Sequence, residues 1–199
     1  MKRLLLVLPA LTLLGQDARQ AEALTAHLRQ TALVHGTFTQ TRHLAALSRP
    51  LTSSGTLVVD RDKGVLWQVR KPLALTFVLG PQGIFEVDAS GKRKGQSSRE
   101  APMVAQMGRI VQSLLKGQWR GVEDYFTVRG QGTPQRWEIT LDPKPATAAF
   151  IKQVKVSGGA FLERIRVEEP GGDRSELAFK DLRTDLPLAE AEGRLLNLK

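Results

Sequence analysis

From Thr37 onward, apolar residues recur at every second position in one short run after another, with short links between the runs. That pattern narrows the fold. A period of two puts alternate side chains on one face of a strand. Short links force neighbouring strands to run antiparallel, because a parallel neighbour needs a crossover of about a dozen residues or more. Phe38, Gln40 and Arg42 alternate with Thr37, Thr39 and Thr41. Gly55, Leu57 and Val59 share a face, and so do Val65, Trp67 and Val69. Leu73, Leu75, Phe77 and Leu79 alternate up to the turn Gly80-Pro81-Gln82-Gly83, and Phe85 and Val87 carry the next run. The second half repeats the pattern with Phe126 and Val128, then Trp137, Ile139 and Leu141. Val154 and Val156 follow, then Ile165 and Val167. Beyond the turn Pro170-Gly171-Gly172-Asp173 come Leu177 and Phe179. About nine to eleven strands are expected.

Two stretches break the period. Leu24, Leu28, Thr31 and Ala32 fall on one helical face near the start. In mid-chain Pro102 opens MVAQMGRIVQSLLKG, where Met103, Met107, Ile110, Val111 and Leu114 form an apolar stripe. Gln106, Arg109, Gln112 and Lys116 lie opposite, and Gly117 ends the helix. One large, curved antiparallel sheet against few helices is a mainly β (α+β), barrel-like solution.

The chain begins with basic Met1-Lys2-Arg3 and a short apolar run, LLLVLPALTLLG. That run is too short for a membrane span, which needs about 20 apolar residues. Ala21-Glu22-Ala23 is a small-x-small cleavage site. Residues 1–23 therefore read as a secretory signal peptide and 24–199 as one exported domain.

Lys and Arg number 29 against 20 acidic residues, a formal net charge of +9. The basic residues are spread along the chain, so nucleic acid is not an expected partner. The run SGKRKGQSSR, Ser90 to Arg99, is either a solvated loop or a patch for acidic partners and lipid headgroups. The chain has no cysteine. That excludes disulfides, thiolate metal sites, cysteine nucleophiles and lipid attachment through an N-terminal cysteine.

The sequence shows no catalytic or metal-ligating constellation. Asp60-x-Asp62 could open a calcium loop, but the later ligand positions hold Gly64, Val65 and Lys71, so a polar hairpin turn is expected. His27, His35 and His43 lack ligand spacing, and no Gly-x-Ser-x-Gly elbow or phosphate loop is present. Glu168 and Glu169 point to opposite faces of a strand. No metal, cofactor or enzymatic activity is expected; a lipid-modifying enzyme with dispersed residues stays open as a third reading.

Several short pieces together resemble the periplasmic outer-membrane lipoprotein carrier family, LolA. They are Gly36-x-Phe38-Thr39-Gln40, Ser54-Gly55-x-Leu57, Arg61 with Trp67 and Pro72 following, and Leu141-x-Pro143-Lys144. The resemblance implies an unclosed, strongly curved antiparallel barrel with helices as a lid over an apolar cavity. By position, Arg61 is the lid latch. The expected cavity lining is Phe38, Leu57, Val59, Val65, Trp67, Val69, Leu75, Phe77 and Phe85. The lid helix brings Met103, Val104, Met107, Ile110, Val111 and Leu114. Departures mark a divergent branch. Asp62 replaces the usual proline, Val65 an aromatic, and Phe85 and Val87 stand where Trp and Tyr are usual. A helix-like tail, Leu188 to Leu196, closes the chain.

The resemblance further implies a monomeric periplasmic carrier. It would shield acyl chains of lipoproteins between an inner-membrane donor complex and an outer-membrane acceptor, with transient membrane contact open. Two alternatives stand beside it: a sensor or adaptor that binds a protein partner, and a dedicated carrier of another lipid or a pigment.

Overall fold

The computed structural model describes residues 16–80, 83–88, 90–94, 113, 119 and 122–197. The expected lid-helix residues Met103, Val104, Met107, Ile110, Val111 and Leu114 lie outside the described residues.

Helix α1 (Gln16–Thr25) and a 3-10 helix (Ala26–Gln30) lead into β1 (Leu33–His43). The helical period of Leu24 and Leu28 stops at Thr31, which turns extended (φ −85°, ψ 120°). Then follow β2 (Leu51–Asp60), β3 (Gly64–Lys71), β4 (Leu75–Gly80), β5 (Gly83–Val87) and β6 (Arg93–Lys94). The second half holds β7 (Phe126–Thr133), β8 (Arg136–Pro143), α2 (Pro145–Ala148), β9 (Gln153–Gly158), β10 (Leu162–Glu168), β11 (Arg174–Arg183) and α3 (Glu190–Leu196).

The eleven strands among the described residues form one antiparallel sheet in the order β6-β5-β4-β3-β2-β1-β11-β10-β9-β8-β7. β1 sits in the middle and pairs with both β2 and β11. The two outermost strands, β6 and β7, do not pair, so the barrel is unclosed. The charged knot after β2 is a turn: Asp60 Oδ1 accepts the backbone N–H groups of Asp62 and Lys63, each at 2.9 Å. Such a carboxylate cap needs no cation. Leu73, expected in a strand, lies instead in the β3–β4 loop.

The sheet has two unlike faces. The concave face carries the main core, from Leu57 and Val65 on one wall to Trp137, Ile139 and Val156 on the other. Helix α1 lies over the β7 side of this face. A Cβ on Gly130 would stand 2.9 Å from the Ala21 Cα, so only glycine lets the helix come this close. Thr25 donates its hydroxyl to the Ala21 carbonyl at 2.8 Å, and Trp119 Nε1 donates to Thr25 Oγ1 at 2.7 Å. All three residues are buried.

Among the described residues, α3 covers the convex face behind β1 to β5. There Leu196 of α3 packs on Val58, Leu66, Val78 and Val87. Glu192 accepts the Ala189 N–H at 2.9 Å, capping α3, and stands 3.1 Å from His35 Nε2 on β1.

Candidate functional site

The concave face is built as ladders of paired side chains. Leu57 stands opposite Trp67, and Trp67 opposite Phe77. The next ladder runs Val59, Val65, Leu79 and Ile84, and a third joins Val69 to Leu75. Where β2, β3, β1 and β11 meet, three aromatic rings come together. The Trp67 ring lies 4.0 Å from Phe38, tilted, and 6.1 Å from Phe179, edge-on. Such edge-on and offset pairs add to simple burial.

Between this wall and the opposite one lies a cavity of about 430 Å³. Trp67, Leu177 and Phe179 form one side; Phe126, Ile151, Val154, Ile165 and Val167 form the other, with Phe150 at the mouth. The volume falls in the range of small-molecule sites, about 300–1,000 Å³. Polar groups stand at the rim: Gln40, Arg42, Glu169 and Ser175, with Arg42 Nη2 3.8 Å from Glu169 Oε1. A smaller hollow of about 30 Å³ lies beyond Phe179, against Leu28, Leu57, Val59, Leu162 and Leu182. Leu182 reaches it because the β1–β11 register shifts by one near Asp181 (φ 53°), which returns an even-numbered residue to the concave face. Gly36 opposite leaves the space: a Cβ there would be 2.5 Å from Leu182 Cδ2.

The expected lining divides as follows. Phe38, Leu57, Val59, Val65, Trp67, Val69, Leu75 and Phe77 are on the concave face by register. Among them Trp67 borders the larger cavity and Leu57 and Val59 the smaller one. Leu75 is 38% exposed at the open end of β4. Phe85 is a correction. Gly80 pairs with Gly83, so Leu79 faces Ile84 and Val78 faces Phe85. Val78 belongs to the convex cluster with Leu196, so Phe85 is on the outer face and Ile84 takes its inner place. The turn switches the odd-even phase between β4 and β5, and continued alternation through it misassigns the residue.

Alternation within each strand does not by itself assign the second wall. Val154, Ile165 and Val167 carry the alternating signal, but nothing local says that their strands close back towards β1 through β11. Phe150, in the α2–β9 loop, carries no periodic signal.

Arg61 stands at the opposite end of the barrel from Arg42, in the β2–β3 turn. Its backbone N–H donates to the Ala32 carbonyl at 2.9 Å. Its Nη1 donates to the Arg29 carbonyl at 3.2 Å, and its Nε lies 3.7 Å from Asp62 Oδ1. Helix C-termini present carbonyls without intrahelical partners, and cationic side chains satisfy them well. Arg61 thus ties the end of the N-terminal helical segment to the sheet.

No group of three metal-ligating side chains occurs among the described residues, and no described helix is long and apolar enough to cross a membrane.

An open antiparallel half-barrel around an apolar chamber, with an N-terminal helix packed on its β7 side, defines a class of binding fold. The chain belongs to the outer membrane lipoprotein carrier protein LolA-like family, whose model matches residues 15–174. Comparison with curated proteins gave no match. Among solved structures, the chain is similar to a putative outer membrane lipoprotein-sorting protein domain from Vibrio parahaemolyticus. Identity is 11%, coverage 92% of this chain and 100% of that one, and the TM-score 0.50. It is also similar to the LolA superfamily protein NE2245 from Nitrosomonas europaea, at 9% identity, 84% and 95% coverage and a TM-score of 0.45. For MucB in the MucA/MucB complex of Pseudomonas aeruginosa the values are 13%, 92% and 59%, and 0.48.

Proposed function

We propose that this chain is a periplasmic carrier that shields the acyl chains of lipoproteins, or of another lipid-linked cargo, on the way from the inner to the outer membrane. The apolar cavity, rimmed by Gln40, Arg42 and Glu169, carries the reading. Burying a methylene is worth about 0.8 kcal/mol. A long acyl chain therefore gains strongly from such a chamber, and a chamber that offered the whole gain would not release it. Release needs a cost on the loaded state. Arg61, bound to the Arg29 carbonyl, is placed to supply one: the bond favours the closed, empty form and is given up on opening.

Export is supported by the basic start and apolar run before Gly15. The leader in this reading ends before α1, because a cut after Ala23 would remove buried Ala21 and the carbonyl that Thr25 uses.

The test is to purify the exported protein, analyse copurified lipid and lipopeptide by mass spectrometry, and titrate a hydrophobic dye. Bound lipid or saturable dye uptake is expected, with uptake reduced in Leu177→Trp, which fills the cavity. A folded protein that binds neither, and instead captures one protein in fixed stoichiometry, would overturn the carrier reading in favour of an adaptor.

A further inference from the structure

Strand direction brings the exposed apolar residues to one end of the barrel. Arg42 at the end of β1 pairs with Leu51 at the start of β2, and with Ser175 near the start of β11. Following the antiparallel pairs outward, the β1–β2, β3–β4 and α2–β9 loops all lie at this end. The large exposed apolar side chains of these loops are Leu47 (48%), Leu51, Leu73 (70%), Leu75 and Phe150 (56%). Phe150 also lines the cavity, so the rim and the chamber are continuous. Isolated apolar residues on a surface need no explanation, but a convergent set does.

The charge of the same loops is one-sided. Leu44 to Leu51, Arg70 to Leu75 and Lys144 to Lys152 contain Arg49, Arg70, Lys71, Lys144 and Lys152 and no acidic residue. All five are exposed. None is paired with a carboxylate among the described residues; Lys144 Nζ donates to the Glu123 backbone carbonyl at 2.5 Å. Several acids at this end are engaged elsewhere: Glu169 with Arg42, Asp142 with Arg129, and Asp173 with the Ala45 N–H. Glu123 and Asp124 stand outside the three loops, just before β7.

We propose that this end of the barrel docks transiently on an anionic lipid surface, with Leu47 and Leu73 entering the headgroup region and the five basic residues around them. Apolar tips ringed by basic residues match such a surface in both terms: methylene burial and attraction to anionic headgroups. The docked face is the one through which the cavity opens. The proposal deepens the carrier reading and rests on it for its purpose, but its test is separate.

The exported protein is sedimented with vesicles of pure phosphatidylcholine and with vesicles containing 30% phosphatidylglycerol (about one lipid in three, enough for a clear surface potential). Binding to the anionic vesicles alone, weakening with salt, is expected. Arg70→Glu with Lys71→Glu should lower it by about tenfold or more. Leu47→Ser with Leu73→Ser should lower it several-fold, while thermal melting and dye uptake stay at parental values, since both side chains are exposed and lie outside the cavity. Arg136→Glu, at the other end, should leave it unchanged. Equal binding to both vesicle types, or loop variants that bind like the parent, would overturn the docking surface. So would absence of vesicle binding with intact dye uptake, an outcome that leaves the carrier reading standing.

Discussion

Replacing Arg61 by leucine tests how opening is controlled. The backbone bond from residue 61 to the Ala32 carbonyl survives any substitution, so the turn should keep its shape. What is lost is chiefly the guanidinium bond to the Arg29 carbonyl at 3.2 Å, with the 3.7 Å contact to the exposed Asp62 carboxylate beside it. The side chain is 43% exposed, so the bond competes with water. A single bond of this kind contributes about 0.5–1.5 kcal/mol. If it exists only in the closed form, its loss moves the open–closed balance about two- to tenfold towards open. Two results follow in opposite directions. Affinity for a hydrophobic dye should rise by about that factor, and release to acceptor vesicles should slow by a similar one. Hydrogen exchange at the amides of residues 26–32 should quicken in parallel, while the melting temperature falls by no more than a few degrees. Arg61→Leu that matches the parent within a factor of two in uptake, release and exchange would refute the coupling between this bond and opening.

Three further outcomes are expected. Thr25→Val removes the acceptor of the buried Trp119 indole N–H and should cost about 1–3 kcal/mol in urea unfolding, with Thr25→Ser close to the parent. Phe77→Ser should weaken dye uptake, whereas Phe85→Ser should leave it unchanged, because the two residues face opposite sides of the sheet; fluorescence titration of both decides it. The intact mass of the exported protein should show a first residue on the N-terminal side of Asp17, and a chain beginning at Leu24 would show that Ala21 is dispensable to the fold.

The first wall was largely legible in sequence because the β2–β3 and β3–β4 pairings have even sums and keep the inward set at odd positions, while Phe38 is read within β1 alone, whose odd pairing with β2 puts its inward set at even positions. Leu57, Trp67 and Phe77 fall into one ladder as their positions alone suggest. The phase fails at two places for a structural reason. At Gly80 to Gly83 the pairing sum is odd, so Ile84 rather than Phe85 turns inward. Near Asp181 a bulge returns Leu182 to the cavity, which simple alternation with Leu177 and Phe179 denies it. The bond between Trp119 and Thr25 joins residues 94 positions apart, and no local pattern announces a contact of that range. The family motif around Gly36 gains a reason only in three dimensions, since the space it leaves is filled by Leu182 from the far end of the chain.

The two walls of the cavity differ in how they are held. In β2 and β3 both faces are apolar and covered: Leu57 and Val59 pack inward while Val58 and Leu66 pack outward under Leu196. In β8 to β10 only one face is apolar. Trp137, Ile139, Leu141, Val154, Val156 and Ile165 are buried inward. Outward stand Arg136, Glu138, Lys155, Arg164 and Arg166, with Arg164 and Arg166 sharing Glu176. Such exposed ion pairs hold a surface weakly. Moving the first wall would uncover apolar surface on both sides and detach α3. Moving the second would uncover it on the inner side alone, where an entering acyl chain covers it again. The cost of widening the chamber is therefore lowest on the side of Val154, Ile165 and Val167, and the cargo itself offsets that cost.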